Sequence, residues 1–198
     1  MTIADFSGLT KKRPEKSLVK GKKRTSGRDH KGRVSVRHRG GGHKRLLRDV
    51  DFSQIRKFGV PATVRAIEYD PNRSARLALI QYIDGSKSYV LAPEGLVIGD
   101  SIVSGERTKA KLGNRMQLQH IPVGFKIYNI EVQIGQGGQI VRSAGTSAVL
   151  VGLDGDHAIL QLPSSEIRKV RKECMATIGT VSNSEHNLIN YGKAGRMR

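Results

Sequence analysis

The positive charge of this 198-residue chain is concentrated at one end. Residues 1–48 hold 16 Lys and Arg against three acids, a net charge of +13, which leaves +5 for the other 150 residues. No aromatic residue occurs between Ser7 and Asp51. A segment with so much charge and so little apolar surface cannot bury a core of its own, so we expect an extended basic arm over residues 1–50 that is ordered by a partner.

The excess of positive charge also constrains the partner. A formal net charge of +18 produces self-repulsion in the isolated protein, and a polyanion such as nucleic acid neutralises it. The single cysteine, Cys174, excludes an internal disulfide and is interpreted as a core residue. No apolar run approaches the roughly 18 residues that a membrane-spanning helix needs, so no membrane partner is expected.

Beyond the arm, short β-rich runs are separated by turn signals. Residues 51–113 contain four strand candidates, with the turn signal DPN and the hairpin signal DGS between them. Residues 114–182 contain the alternating run YNIEVQI, the glycine-rich GQGG and a further hairpin signal, DGD. Residues 183–198 are predicted to form a short helix and a basic tail. The predicted fold class is all-β, with two small barrels behind the arm.

The arm contains the motif RHRGGGHKR, in which three glycines are flanked by cations. A nucleotide-binding loop is not supported, because the glycines lack the P-loop spacing, no Ser or Thr follows Lys44 and no helix begins there. A metal site is not supported, because His38 and His43 have no cysteine partners and lie among cations. Two interpretations remain: a backbone that passes close to packed RNA, and a solvated charge run.

Three further basic motifs each have two interpretations. DPNRSAR presents Arg73 and Arg76 at a turn, where they would contact phosphates; alternatively, it is a surface turn in which Arg73 bridges Asp70. GQGGQIVRSAGT contains Arg142 beside glycines that suit either a close approach to RNA or a β-bulge and tight corner. IRKVRK contains Arg168 and Lys169, which would bind RNA or lie on an ordinary hydrated strand face.

The sequence lacks the patterns expected of the alternative functions. It has no G-x-S-x-G or H-E-x-x-H motif, and the aspartates of DGD are interpreted as turn residues, so we do not expect an enzyme. A nuclease would need a carboxylate cluster, and a single-strand-binding protein would need more aromatic residues than the nine Phe and Tyr present. No cofactor is expected, apart from magnesium ions that belong to bound RNA.

Four motifs in the order KGKKRTSGRDHKGRVSVRHRGGGHKR, EYDPNRSA, GQGGQIVRSAGT and LPSSEIRKV resemble the universal large-subunit ribosomal protein L-two family. The resemblance implies an oligonucleotide-binding-fold barrel over residues 51–113 and an SH3-like barrel over 114–182. It implies a structural constituent of the large ribosomal subunit that binds ribosomal RNA and supports subunit assembly, subunit association and the surroundings of the peptidyl-transferase centre. The implied partners are large-subunit ribosomal RNA and neighbouring ribosomal proteins.

The resemblance also implies roles for individual residues. In the family, the arginines of the DPNR and RSAGT motifs lie near the cleft between the barrels and contact the RNA; these positions are Arg73 and Arg142 here. The full set of predicted RNA-binding residues comprises Lys22, Lys23, Arg24, Arg28, Arg33, Arg37, His38, Arg39, Gly40, Gly41, Gly42, His43, Lys44, Arg45, Arg73, Arg76, Arg142, Arg168 and Lys169.

The chain differs from the family at its C-terminal end. Family members usually continue into a long, basic, glycine-rich extension with a histidine-containing loop, whereas this sequence ends at Arg198. We therefore expect either a shortened chain or a separate polypeptide that supplies the extension, as in some mitochondrial versions. The expected location is the large ribosomal subunit, in the mitochondrial matrix rather than the chloroplast stroma or the bacterial cytoplasm.

Overall fold

The described part of the chain is built from short β-strands. The computed structural model describes residues 5–10, 13–21 and 24–193. These residues contain twelve strands and three short 3₁₀ helices, so the all-β class predicted from the sequence is confirmed. No helix among them is long and apolar enough to cross a membrane. The 3₁₀ helices span Lys16–Leu18, Leu118–His120 and Ser184–Leu188.

The basic arm has a paired base and a loop that bonds to itself. Strands β1 (Val19–Gly21) and β2 (Leu46–Arg48) pair antiparallel. In the loop between them, the backbone N–H groups of Ser35 and Val36 both donate to the carbonyl of Gly27. No residue from 24 to 45 is buried. The expected extended arm is therefore anchored at its base and folded locally, and its loop from residue 24 to residue 45 has no core.

Four strands form the sheet of the first barrel: β3 (Ala62–Glu68), β4 (Leu77–Tyr82), β5 (Lys87–Leu91) and β6 (Ser101–Ile102). They are antiparallel and lie in the order β5-β4-β3-β6. The DGS signal forms the turn between β4 and β5, where Gly85 has a φ of +82° that residues with a side chain rarely adopt. The apolar core consists of Ala62, Val64, Ala78, Ile80, Tyr82, Val90, Ala92, Leu96 and Ile102.

Six strands form the sheet of the second barrel: β7 (Arg115–Gln117), β8 (Lys126–Tyr128), β9 (Ala148–Asp154), β10 (His157–Gln161), β11 (Ile167–Arg171) and β12 (Met175–Ile178). Their order is β11-β10-β9-β8-β12-β7. Cys174 lies in the core of this barrel, as expected, and burial raises the pKa of its thiol to about 11. Other core residues include Met116, Leu118, Ile127, Ile130, Leu150, Leu160 and Ala176.

The run YNIEVQI is a strand only at its beginning. β8 ends at Tyr128, and the next residue, Asn129, has a φ of +51°, which interrupts the strand. Glu131 then lies in the interior at 1% exposure, and Ile130 makes an isolated bridge to Ile140. The alternation of polar and apolar residues predicts too long a strand, because it assumes that every polar residue faces solvent. Glu131 is instead buried and paired with Arg115.

A shared apolar contact joins the two barrels. Tyr128 of the second barrel is 2% exposed and packs with Leu77, Tyr89 and Leu91 of the first. Its hydroxyl donates to the carbonyl of Leu91 at 3.1 Å. Burial raises the pKa of Tyr128 above its ordinary value, so the hydroxyl stays protonated and remains a donor. This contact fixes the loops of one barrel beside those of the other.

Candidate nucleic-acid interface

Two arginines from different barrels lie against one aromatic ring. The Cζ atom of Arg73 is 5.5 Å from the centroid of Phe52, and that of Arg142 is 4.5 Å from it. Arg73 lies on the turn between β3 and β4, Arg142 on the segment between β8 and β9, and Phe52 on the connection from the arm to the first barrel. Both distances are within the range of cation–π attraction. The structure thus brings together the arginines of two separate sequence motifs, DPNR and RSAGT.

The three side chains line an open cleft of about 580 Å³. Its other described lining residues are uncharged, so the two guanidinium groups dominate its electrostatics. Hydroxyl and amide groups around a pair of arginines suit an anionic, hydroxyl-bearing ligand such as the RNA backbone. The described lining residues are Phe52, Asn72, Arg73, Ser74, Gln139, Val141, Arg142 and Ser143.

Arg73 is oriented by a buried carboxylate. Its Nε donates to Oδ2 of Asp70 at 2.6 Å, and Asp70 is completely buried while the Arg73 side chain is 22% exposed. The other carboxylate oxygen of Asp70 accepts the backbone N–H of Asn72 at 2.9 Å and lies 3.8 Å from Nη1 of Arg48. The salt bridge to Asp70 uses only Nε of Arg73, so the two terminal nitrogens of its guanidinium are left for other acceptors. Arg73 can therefore form this salt bridge and contact a ligand in the cleft at the same time.

Arg142 is oriented by the glycine-rich loop. Its Nη1 donates to the carbonyl of Gly138 at 3.1 Å, and the N–H of Gly138 donates to the carbonyl of Phe52 at 3.0 Å. Gly137 has a φ of +76°, and a Cβ there would lie 3.2 Å from the backbone nitrogen of Ser53. These glycines are needed for a close approach within the protein, which places the loop against the segment that carries Phe52.

The glycines of RHRGGGHKR curve the tip of the arm. Gly40, Gly41 and Gly42 have φ values of +120°, +66° and +77°, conformations that glycine adopts readily. Arg24 donates to the carbonyl of Gly41, and Arg28 donates to that of Arg39, each at 3.3 Å. The loop therefore closes on its own carbonyl groups and leaves its remaining cations on the surface.

Most predicted arm residues are exposed, and one connects the arm to the cleft. Nη1 of Arg45 donates to the carbonyl of Pro71 at 2.9 Å, next to the turn that carries Arg73. Lys22 and Lys23 lie outside the described residues. The exposed residues of the predicted set are Arg24, Arg28, Arg33, Arg37, His38, Arg39, Gly40, Gly41, Gly42, His43 and Lys44.

Arg76 differs from the sequence-based expectation. It is 7% exposed, and its Nη2 donates to the carbonyl of Asp5 at 2.8 Å. Its guanidinium lies over Phe6 at 4.8 Å and Tyr69 at 5.7 Å, and burial lowers its pKa. Arg73 lies on the turn, whereas Arg76 immediately precedes β4 and is covered by the N-terminal segment. The structure therefore places Arg76 inside the protein instead of in the cleft.

Arg168 and Lys169 are exposed on β11 and are not part of the cleft lining. β11 is the edge strand of the six-stranded sheet. Nζ of Lys169 lies 2.8 Å from Oδ2 of Asp154 across the sheet. Both positions are exposed and available to a polyanion, and Lys169 is held by Asp154 on the sheet surface, away from the Phe52 ring.

Phe52 was absent from the predicted site. The available signal was its position as the first aromatic residue after the aromatic-free arm, next to Asp51. A second groove, of about 440 Å³, also includes Phe52 and is lined in part by Arg56, Lys57 and Lys87. Among the described residues, no group of three or more His, Cys, Asp or Glu is arranged to hold a metal ion.

Two family models match the chain. One, described as Ribosomal Proteins L2, RNA binding N-terminal domain, matches residues 15–104, and the other, Ribosomal Proteins L2, C-terminal domain, matches 111–198. The first and second domains of this family are OB-like and SH3-like, so the two expected barrel classes are confirmed. Because the C-terminal domain is present in this chain, the separate polypeptide expected from the sequence receives no support. The chain therefore belongs to the ribosomal protein L2 family, a family of structural RNA-binding proteins of the large ribosomal subunit.

Proposed function

We propose that the cleft between the barrels and the basic arm together form the contact with large-subunit ribosomal RNA. The observation that carries this proposal is the convergence of Arg73 and Arg142 on Phe52 from two different barrels. A ligand in the cleft touches both barrels at once. The RNA is then recognised by its folded shape, which is how proteins recognise most structured RNA.

The cleft acts on the RNA through oriented donors. Asp70 and the carbonyl of Gly138 each hold one side of a guanidinium. Both side chains line the cleft, and we infer that their remaining guanidinium nitrogens donate to phosphate oxygens in the paired geometry that arginine favours. Ser74 and Ser143 also line the cleft, and their hydroxyls donate to ribose or phosphate oxygens. Desolvation of this contact strengthens each charge-assisted hydrogen bond.

The arm acts through the number of its charges. Each arm cation that neutralises a phosphate releases condensed counterions, so the arm contributes affinity that depends strongly on salt. The three consecutive glycines allow its backbone to lie close to the sugar–phosphate surface. Arg168 and Lys169 add peripheral phosphate contacts on the second barrel. Arg76 is assigned to the packing of the N-terminal segment.

Family membership supports a proposal for finer roles as well. We assign to the protein a primary RNA contact that supports assembly of the large subunit, association of the two subunits and the surroundings of the peptidyl-transferase centre. It needs no cofactor, and any magnesium belongs to the bound RNA. The mitochondrial matrix stays a prediction.

The experiment is sedimentation of large subunits through a high-salt wash. The variant Arg73→Ala/Arg142→Ala is compared with Arg65→Ala/Arg107→Ala, which removes two exposed arginines away from the cleft. We expect the wild-type chain and the control to stay with the subunit and the cleft variant to appear in free fractions. Equal retention of all three would rule out the cleft as the main RNA contact.

A further inference from the structure

A buried ion pair lies behind the cleft. Arg115, at the start of β7, is 0% exposed, and Glu131, beyond the end of β8, is 1% exposed. Their side chains meet at 3.0 Å between Nη2 and Oε1. A buried ion pair is often no more stabilising than apolar residues of the same size, because both charges lose their hydration. A role in holding particular backbone groups explains the pair better than stability alone.

Arg115 reaches from the second barrel to the segment that carries Phe52. Its Nε donates to the carbonyl of Ser53 at 3.2 Å, the residue directly after Phe52. Its Nη1 donates to the carbonyl of Asn129 at 2.7 Å, and the side-chain amide of Asn129 donates to the carbonyl of Phe52 at 3.2 Å. Arg115 therefore restrains the backbone on both sides of the Phe52–Ser53 peptide unit.

Glu131 restrains the glycine-rich loop that orients Arg142. Its Oε1 accepts the N–H of Gly137 at 3.1 Å, and its Oε2 accepts that of Met175 at 3.1 Å. The residue after Gly137 is Gly138, whose carbonyl accepts Nη1 of Arg142. Arg115 thus holds the segment of Phe52, and Glu131 holds the loop that orients Arg142.

We propose that Arg115 and Glu131 are positioning residues for RNA binding: they fix the glycine-rich loop of the second barrel against the Phe52 segment and so hold Arg142 over the Phe52 ring. Both are buried, so we expect them to act on RNA through the cleft residues that they hold, Arg142 and Phe52. This inference rests on the proposed RNA-binding role of the cleft for its functional consequence. The positioning itself can be measured without RNA.

The test uses the paired substitution Arg115→Met/Glu131→Leu. Removal of one partner would leave an unpaired buried charge, whereas apolar side chains of similar size at both positions avoid that cost. Arg115→Lys is the second variant. It keeps a positive charge for Glu131, but one ammonium group cannot reach Ser53, Asn129 and Glu131 in the geometry of the guanidinium fork. It serves as the test variant where the paired substitution fails to fold.

The first readout is the NMR resonance of the Arg142 Nε–Hε group, which we expect the ring current of Phe52 to shift in the wild-type protein. In the folded test variant we expect this resonance to move to the position of an unstacked arginine, while the core methyl resonances stay dispersed. The surface ion pair Lys172–Asp156, whose side chains are 32% and 79% exposed, serves as the control. Its replacement by Gln and Asn should leave the resonance in place. An unchanged Arg142 resonance in a folded test variant overturns the proposal.

The second readout is a double-mutant cycle on RNA affinity. We expect the test variant to bind large-subunit RNA about tenfold more weakly, and to lose less than about twofold further in an Arg142→Ala background, because the two changes act through one contact. Fully additive losses would show that the pair acts elsewhere and overturn the proposal. If Arg142→Ala alone binds as the wild type does, the function of the cleft fails, and the NMR readout still decides the positioning.

Discussion

The arm and the cleft hold their positive charges in different ways. From residue 24 to residue 45 the arm buries no side chain. Arg24 and Arg28 donate to carbonyl groups of the arm itself, and Arg45 donates to the carbonyl of Pro71 at its edge. The cleft has two arginines, each bonded to an oxygen of the protein and each lying over Phe52. The arm thus supplies many loosely held charges, and the cleft supplies two that are already oriented.

This difference gives the arm and the cleft separate contributions to RNA binding: the arm contributes affinity, and the cleft orients the bound RNA. An exposed arginine or lysine loses up to about 2 kcal/mol of side-chain conformational entropy when it is immobilised, which offsets much of each phosphate contact. In the cleft, Asp70 and Gly138 have restricted the two guanidinium groups before RNA arrives, so less entropy is lost on binding. We therefore expect the arm to determine how steeply binding depends on salt, and the cleft to determine which RNA structure is bound.

The largest expected effect comes from the arm. Replacement of Arg33, Arg37, Arg39 and Lys44 by Gln removes four exposed charges. We expect affinity for large-subunit RNA to fall roughly 100-fold or more at about 0.1 M salt, and the slope of log affinity against log salt to decrease by about three. Affinity measured across a salt series gives both quantities.

The control for the arm variant removes the same charge elsewhere. Arg107, Lys109, Lys111 and Lys126 are exposed on loops and at a strand start outside the predicted site. Their replacement by Gln should change the slope by much less, and both variants should keep the thermal transition of the barrels. An equal decrease in slope for both variants would mean that net charge, and not the arm, determines affinity.

The next effect comes from the cleft. Arg142→Ala removes an oriented donor, and we expect RNA affinity to fall about 10-fold to 100-fold, the range for one specific charge-assisted contact. The slope against salt should decrease by only about one. Arg65→Ala, an exposed arginine that donates to Gln81 across the first sheet, is the matched control. Loss of the second barrel's thermal transition at unchanged affinity would show that Arg142 has a structural role instead.

A smaller effect is expected from the aromatic ring itself. Phe52→Leu keeps an apolar side chain but removes the π surface under Arg73 and Arg142. We expect affinity to fall about threefold to tenfold, in line with the loss of two partly exposed cation–π contacts. Discrimination between folded and unfolded RNA should fall with it. Unchanged discrimination would mean that Asp70 and Gly138 orient the two arginines without help from the Phe52 ring.

The strands were predictable from the sequence where residues typical of tight turns mark their ends. DPN, DGS and DGD are followed by strands, and the boundaries in the first barrel agree with the turn signals. The sequence pattern failed around Asn129, because a positive φ and the burial of Glu131 depend on tertiary contacts with Arg115. The short helix predicted after residue 182 is a 3₁₀ helix, and its first flanking residue, Asn183, makes no side-chain capping bond.

The site was predictable to the extent that motifs mark it. Arg73 and Arg142 were selected from separate motifs, and the structure brings them together. Phe52 belongs to no motif, and its importance appears only when two barrels are packed side by side. Arg76, three residues from Arg73, has the same residue type and a similar local sequence, yet Asp5, Phe6 and Tyr69 cover it. No local pattern separates these two arginines.

The smallest expected effect is a loss of folding stability at high pH, which concerns the barrels and not the arm. Tyr82 is 8% exposed in the core of the first barrel, and burial, aided by the nearby carboxylates of Asp51 and Asp84, raises its pKa from 10.0 to about 12. Because the folded pKa is raised, the stability it contributes is fully present below pH 10 and is lost as the pH rises towards 12.

The arm has no tyrosine, so this loss belongs to the barrels alone. For Tyr82→Phe we expect the free energy of unfolding to fall less steeply between pH 10 and pH 12, by up to about 1 kcal/mol per pH unit, because the unfolded chain no longer releases that proton. Denaturant unfolding of wild type and variant at pH 8, 10 and 11 measures the slope. Identical slopes would mean that Tyr82 ionises in the folded barrel as readily as in the unfolded chain. The loss of stability at high pH would then be due to Tyr89 and Tyr128, whose pKa values burial also raises.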